Sequence, residues 1–210
     1  MFGIHDFVLF FAAGILLSLT PGPDMALVVG HSLRHGARGG VLAALGVDSG
    51  CFVHIAAVTV GVSALLLASA TAFTVLKLAG AAYLAFIGFG MMFGAHASKA
   101  VAAPARAPKG HSIYLQGFLT NALNPKVALF FLAFLPQFVN AGAPDRTLGF
   151  ALLGLIFDAT GTLWLVVVAL AAARSAARFA ASVRLRSWLQ RLIGAMFVAL
   201  AGKLALTHAH

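Results

Sequence analysis

The chain contains no glutamate and only five aspartates in 210 residues, and charged residues of both signs make up 9% of it. A soluble domain carries about 25%, so this composition excludes an ordinary water-facing surface and points to an integral membrane protein. A single cysteine, Cys51, excludes an internal disulfide and a dithiol relay. No glycine-rich nucleotide-binding loop is present, so any energy-requiring work would draw on a gradient rather than on ATP. The first six residues, Met1 to Asp6, hold no Lys or Arg, and no cleaved signal peptide is expected. A net charge of +9 would suit nucleic acid. The basic residues sit instead in short segments between apolar runs, where they act as topology signals, and nucleic acid is not an expected partner.

What is present is 61% hydrophobic residues, gathered into six apolar runs: Phe7–Val29, Gly39–Ala68, Ala72–Gly94, Ile113–Phe138, Thr147–Ala172 and Leu189–Leu206. Each approaches or exceeds the roughly 20 residues that cross a bilayer as a helix. Lys and Arg load the first, third and fifth connections through Arg34 and Arg38, through Lys99, Arg106 and Lys109, and through Arg174, Arg178, Arg184 and Arg186. By the positive-inside rule these face the cytoplasm, which puts both termini outside. The link near Ser69–Thr71 is very short, so the second and third runs form an antiparallel hairpin.

The first run carries Thr20-Pro21-Gly22-Pro23-Asp24 in its interior. Each proline removes an amide donor and clashes with the preceding turn, and a charge in hydrocarbon costs at least about 2.5 kcal/mol. The pattern predicts a broken helix, with Pro23 opening a new half-helix and Asp24 in its first turn. Asn124-Pro125-Lys126 repeats the design in the fourth run: Asn124 caps, Pro125 opens, Lys126 follows. Half-helix N-termini of this kind bind carboxylates. The candidate substrate-binding residues are therefore Pro21, Gly22, Pro23, Asp24, Asn124, Pro125 and Lys126.

The two stretches also align as a repeat. Pro23-Asp24-Met25-Ala26-Leu27-Val28 matches Pro125-Lys126-Val127-Ala128-Leu129-Phe130, and Asp48 in the second run has its counterpart in Asp158 in the fifth. Three spans per unit is odd, so the second unit enters from the opposite side. The expected fold is an all-α integral membrane protein, six transmembrane helices as two inverted three-helix repeats with helices 1 and 4 broken. It forms one transporter domain over residues 1–210, with repeat 1 at 1–98, repeat 2 at 110–210 and a basic cytoplasmic linker at about 95–112.

Asp24, Asp48 and Asp158 against Lys126 leave negative charge to be balanced by a substrate ammonium or a proton. Asp48, Asp158 and His54 are the candidates for proton coupling, His54 also reading as a packed, hydrogen-bonded histidine. His31 and His35 have metal-ligand spacing, but they sit beside Arg34 and Arg38 with no acid or cysteine nearby, so no metal site is expected. Gly46 and Gly50 read as close helix packing. Phe130, Phe131, Phe134 and Phe138 read as a lipid-facing or packing surface.

At these residues the chain resembles the LysE/RhtB family of bacterial amino-acid exporters. The resemblance rests on Leu19-Thr20-Pro21-Gly22-Pro23-Asp24-Met25, on Arg34, His35, Gly36 and Gly39, and on Ala44-Leu45-Gly46-Val47. It continues in Gly117-Phe118-Leu119-Thr120-Asn121, in Leu123-Asn124-Pro125-Lys126-Val127-Ala128-Leu129-Phe130-Phe131 and in Leu135-Pro136-Gln137-Phe138. It implies export of amino acids such as threonine, homoserine, homoserine lactone, leucine or lysine, driven by the proton-motive force from the inner membrane, in a homo-oligomer and without a cofactor. Asp48 and Asp158 are not part of that signature. Rival readings are an efflux carrier of the same superfamily for a metal cation, weakened by one cysteine and few buried histidines, or for another small molecule, an intramembrane enzyme, for which no nucleophile–base pair is found, and a membrane anchor, which the buried charges argue against.

Overall fold

The computed structural model describes residues 2–62, 110–140 and 142–174, with scattered positions between 71 and 93 and between 191 and 202. Most of the third and sixth apolar runs, Ser69 and Ala70 of the short link, and the linker up to Lys109 lie outside the described residues. The regular elements described are helical. They are α1 (Phe7–Leu19), α2 (Pro23–Ala56), α3 (Gly110–Ala122), α4 (Pro125–Leu129) and α5 (Arg146–Arg174). A π-helical turn, Ala57–Val62, extends α2, and α4 runs on through a π turn, Phe130–Phe134, into a 3-10 turn, Leu135–Phe138. Among the described residues, two helices are long and apolar enough to cross a membrane, or three when α3 and the segment Pro125–Phe138, bent by 43°, count as one span.

α2 is not straight. Gly36 has φ 67 and ψ −169, a backbone setting that L side chains rarely adopt. In a straight helix, residues eight apart are separated by about 12 Å. Here a Cβ on Gly40 would overlap Ser32, and Val28 packs with Ala43, Ala44 and Val47. The chain therefore reverses at Gly36. The connection expected between Gly30 and Arg38 is helical on both sides of one glycine, because Gly39 and Gly40 carry no side chain to hold the two arms apart.

Glycines also set the remaining crossings. A Cβ on Gly46 would run into the Tyr114 carbonyl, and one on Gly117 into the Ala43 carbonyl, so α2 and α3 cross backbone to backbone. Their contacts run in step, Gly46 against Tyr114 and Gly50 against Phe118, so these helices are parallel. Against α5 they run in opposite order, Gly40 to Ala169 and Ile55 to Gly154, so α2 and α5 are antiparallel.

Two ends of the bundle follow. At one, residues near the N-terminus pair with the chain after α4: His5 N–H donates to Phe138 O at 3.0 Å and Asn140 N–H to Gly3 O at 2.8 Å. At the other lie the Gly36 turn, the start of α3 and the end of α5. The phenylalanine-rich stretch is interior. Phe130, Phe131, Phe134 and Phe138 are buried with Phe10, Phe150 and Phe157 in an apolar cluster at the first end, with ring centroids 4.8–6.1 Å apart along Phe130–Phe138. A second, smaller-residue cluster of Val28, Ala43, Ala44, Val47, Leu165 and Ala169 fills the other end. The polar residues lie between the two.

Candidate functional site

α1 and α3 approach the middle from opposite ends, and each stops at a proline. α1 closes with Thr20 N–H bonded to Leu16 O and Leu17 O, both at 3.2 Å. Pro21 stands where the next helical donor to Leu17 O would be and has no N–H. The Leu17 and Thr20 carbonyls receive Lys126 Nζ instead, at 3.3 and 3.5 Å. The second break works alike. Pro125 stands four residues after Asn121 and offers its carbonyl no donor. Asn124 N–H and His54 Nε2 fill the place, each at 2.8 Å. A carbonyl only accepts, so His54 carries its proton on Nε2, and its ring packs on Phe131 at 6.0 Å.

The new half-helices begin differently. Gly22 is the N-cap of α2 and makes no side-chain cap. Ala26 N–H bonds Gly22 O at 2.9 Å, while the amides of Asp24 and Met25 have no partner among the described residues. At α4 the cap is Asn124, whose Oδ1 accepts Lys126 N–H at 3.0 Å. Its Nδ2 donates across to Asp24 Oδ2 at 3.0 Å, and Asn121 Nδ2 donates to the same oxygen at 3.1 Å. Asp24 Oδ1 and Asn121 Oδ1 are buried without a partner among the described residues. Asp24 and Lys126 thus each serve the other's break rather than pairing directly.

A second acidic group faces these breaks. Asp48 Oδ1 accepts from Thr162 Oγ1 at 2.7 Å. Asp158, 6% exposed, lies against Asp48 and the Cys51 thiol. Between the acids and the breaks is a cavity of about 50 Å³, room for one or two waters. Of the candidate residues, Gly22, Asp24, Lys126 and Asp158 line it. Pro21, Pro23, Asn124 and Pro125 shape the breaks, Asp48 reaches the cavity through the lining residue Thr162, and His54 is held by the Asn121 carbonyl.

Three contributors were not singled out from sequence: Asn121, Thr162 and the carbonyls of α1. Each had a readable sign. Asn121 and Leu17 stand four residues before Pro125 and Pro21, and Thr162 follows Asp158 by one helical turn.

Residues 15–208 match the model of the LysE type translocator family. An uncharacterized membrane protein of Pseudomonas aeruginosa is 35% identical over 207 residues, covering 97% of this chain and 96% of that protein. A leucine efflux protein of Salmonella typhimurium is 27% identical over 204 residues, covering 97% and 96%. A leucine efflux protein of an Enterobacter strain is 27% identical over 207 residues, covering 99% and 98%. No solved structure matches.

Proposed function

The chain belongs to the LysE type translocator family, and on that premise we propose that it is a secondary transporter exporting amino acids across the bacterial inner membrane by proton antiport. It is a multi-pass membrane transporter, not an enzyme. The observation that carries the reading is the meeting of two proline-broken helices, with Asp24 and Lys126 on one buried cavity. The open end of α2 is the place for the substrate carboxylate. The free amides of Asp24 and Met25 point to it, and the positive end of the helix dipole favours an anion there.

Asp48 and Asp158 are the proton-carrying pair. Two acids side by side in apolar surroundings hold one proton between them at far less cost than two charges. His54 has a different task, since its Nε2 proton is committed to the Asn121 carbonyl. Six spans in two inverted repeats, 1–98 and 110–210, complete the architecture. Support comes from α1 and α3 entering from opposite ends. Both termini lie outside the cytoplasm, supported by Arg34, Arg38 and Arg174 sitting at the end opposite residues 2–5.

Flux from leucine-loaded proteoliposomes under an imposed pH gradient tests this. Wild type should release leucine faster with the gradient than without it. Asp24→Asn should lower flux at least tenfold at unchanged melting temperature, and Asp158→Asn should remove the response to the gradient. Wild-type flux in Asp24→Asn would overturn the site. Flux indifferent to the gradient would overturn proton coupling.

A further inference from the structure

An amino acid brings an ammonium as well as a carboxylate, and the amides at α2 have no use for it. The end of α1 does. A helix C-terminus is the negative end of the dipole, and Pro21 and Pro23 have removed donors that would have covered its last carbonyls. An ammonium already sits there: Lys126 Nζ, 3.3 Å from Leu17 O and 3.5 Å from Thr20 O. Both contacts are long beside the roughly 2.7–2.9 Å of a charge-assisted hydrogen bond. Nζ has no other acceptor among the described residues, although an ammonium carries three donors. The same cavity holds Asp24 Oδ1, buried and without a partner among the described residues. Gly22 keeps the place open, since a Cβ there would lie 3.2 Å from Nζ.

We infer that Lys126 is a tethered stand-in for the substrate's ammonium: it occupies the Leu17 and Thr20 carbonyls in the empty site, and an incoming α-ammonium takes those carbonyls while Lys126 moves onto Asp24 Oδ1. The ligand class is an amino acid with a free ammonium, its carboxylate on the α2 side of the break and its ammonium on the α1 side. The inference rests on the amino-acid transport reading for its ligand and adds the subsite and the exchange. The exchange has a mechanical consequence. Lys126 belongs to α4 and grips α1, so displacing it releases one of the links between the two broken helices when substrate arrives and leaves the Asn124–Asp24 bond and the Phe10–Phe130 packing in place. The site's net charge is unchanged, because the amino acid brings its own carboxylate with its ammonium and Lys126 only moves from carbonyls to a carboxylate.

Binding of three probes to purified wild type, Lys126→Met and Lys126→Arg tests this through ligand-induced shifts in melting temperature. The probes are leucine, 3-methylbutylamine (leucine without its carboxylate) and 4-methylpentanoate (leucine without its ammonium). Lys126→Met should bind the amine at least tenfold tighter than wild type and the carboxylate within twofold. Lys126→Arg, which keeps a cation at the carbonyls, should bind the amine as weakly as wild type. A tenfold loss of 4-methylpentanoate binding in Lys126→Met with no gain for the amine would overturn the inference and make Lys126 a carboxylate ligand. If the variants do not fold, acetylation of Lys126 in wild type decides. Leucine and the amine should change its rate at least threefold while the carboxylate does not, and no change with any probe overturns the exchange. Absence of leucine flux in wild type would sink the transport reading and leave the amine result standing on its own.

Discussion

At Thr20–Gly22 the new helix starts on a glycine and leaves two amides without partners, whereas at Leu123–Asn124 it starts on an asparagine whose side chain takes the first free amide. The carbonyl sides differ as well. The first break receives an ammonium on a long side chain, from a residue beyond the second break. The second receives a histidine ring fixed by packing on Phe131. Two stretches that align as repeats have thus become an open, charge-bearing break and a more closed one, whose side-chain cap leaves the Val127 amide alone without a partner among the described residues. The difference teaches that a repeat supplies two frames, and that the residues at the cap decide which frame is left with unspent hydrogen-bonding capacity. Substrate is expected at the open break, with the closed break as its support.

Restoring the missing donors is the strongest way to test that division. Pro21→Ala returns an N–H to the Leu17 carbonyl and evicts Lys126 from it. Leucine flux should fall at least tenfold. Pro125→Ala returns a donor to the Asn121 carbonyl, where it competes with Asn124 N–H and His54 and displaces no charged group, so flux should fall no more than threefold. Equal losses in the two variants would erase the distinction between the breaks.

Next in size is the effect of His54→Ala. It removes one of the two donors on the Asn121 carbonyl, which keeps Asn124 N–H, together with the packing against Phe131. A lost hydrogen bond costs about 0.5–1.5 kcal/mol and the lost packing adds to it, read as a lower midpoint in thermal unfolding, while flux per folded molecule should stay within twofold of wild type. Loss of the pH-gradient response in this variant would return His54 to the proton path. The smallest effect on stability belongs to Asn124→Ala. Losing an N-cap costs about 1 kcal/mol, and Asp24 loses one of its two amide donors. The midpoint should fall by less than in His54→Ala, and flux should drop severalfold because Asp24 is less firmly placed.

Much of this was legible without coordinates. Pro21, Pro23 and Pro125 lack an N–H wherever the chain puts them, so the two breaks and the starts of the new half-helices were readable, and so was the Asn124 cap. Other features were not. Lys126 and Asp24 invite a direct ion pair on charge alone, but the helix ends offered closer partners to each: backbone carbonyls for the ammonium, and the Asn121 and Asn124 amides for the carboxylate. The reach of α2 past Val29 to a reversal at Gly36 was also hidden. Arg34, His35 and Arg38 read as a solvated connection, while only the contacts of Gly39 and Gly40 with the preceding arm show the helices closing up around one glycine.

The order of residues is enough to put the chain in a membrane, to break two of its helices at proline, and to say which few residues bear charge in the apolar interior. These are local properties, fixed by hydrophobicity and by the missing amide of proline. Packing between distant segments settles which donor reaches which orphaned carbonyl, that Asp48 meets Asp158, and that one break is more open than the other. Those depend on distances between residues about 100 positions apart, as between Asn124 and Asp24, and such distances are set by how glycine-lined helices pack.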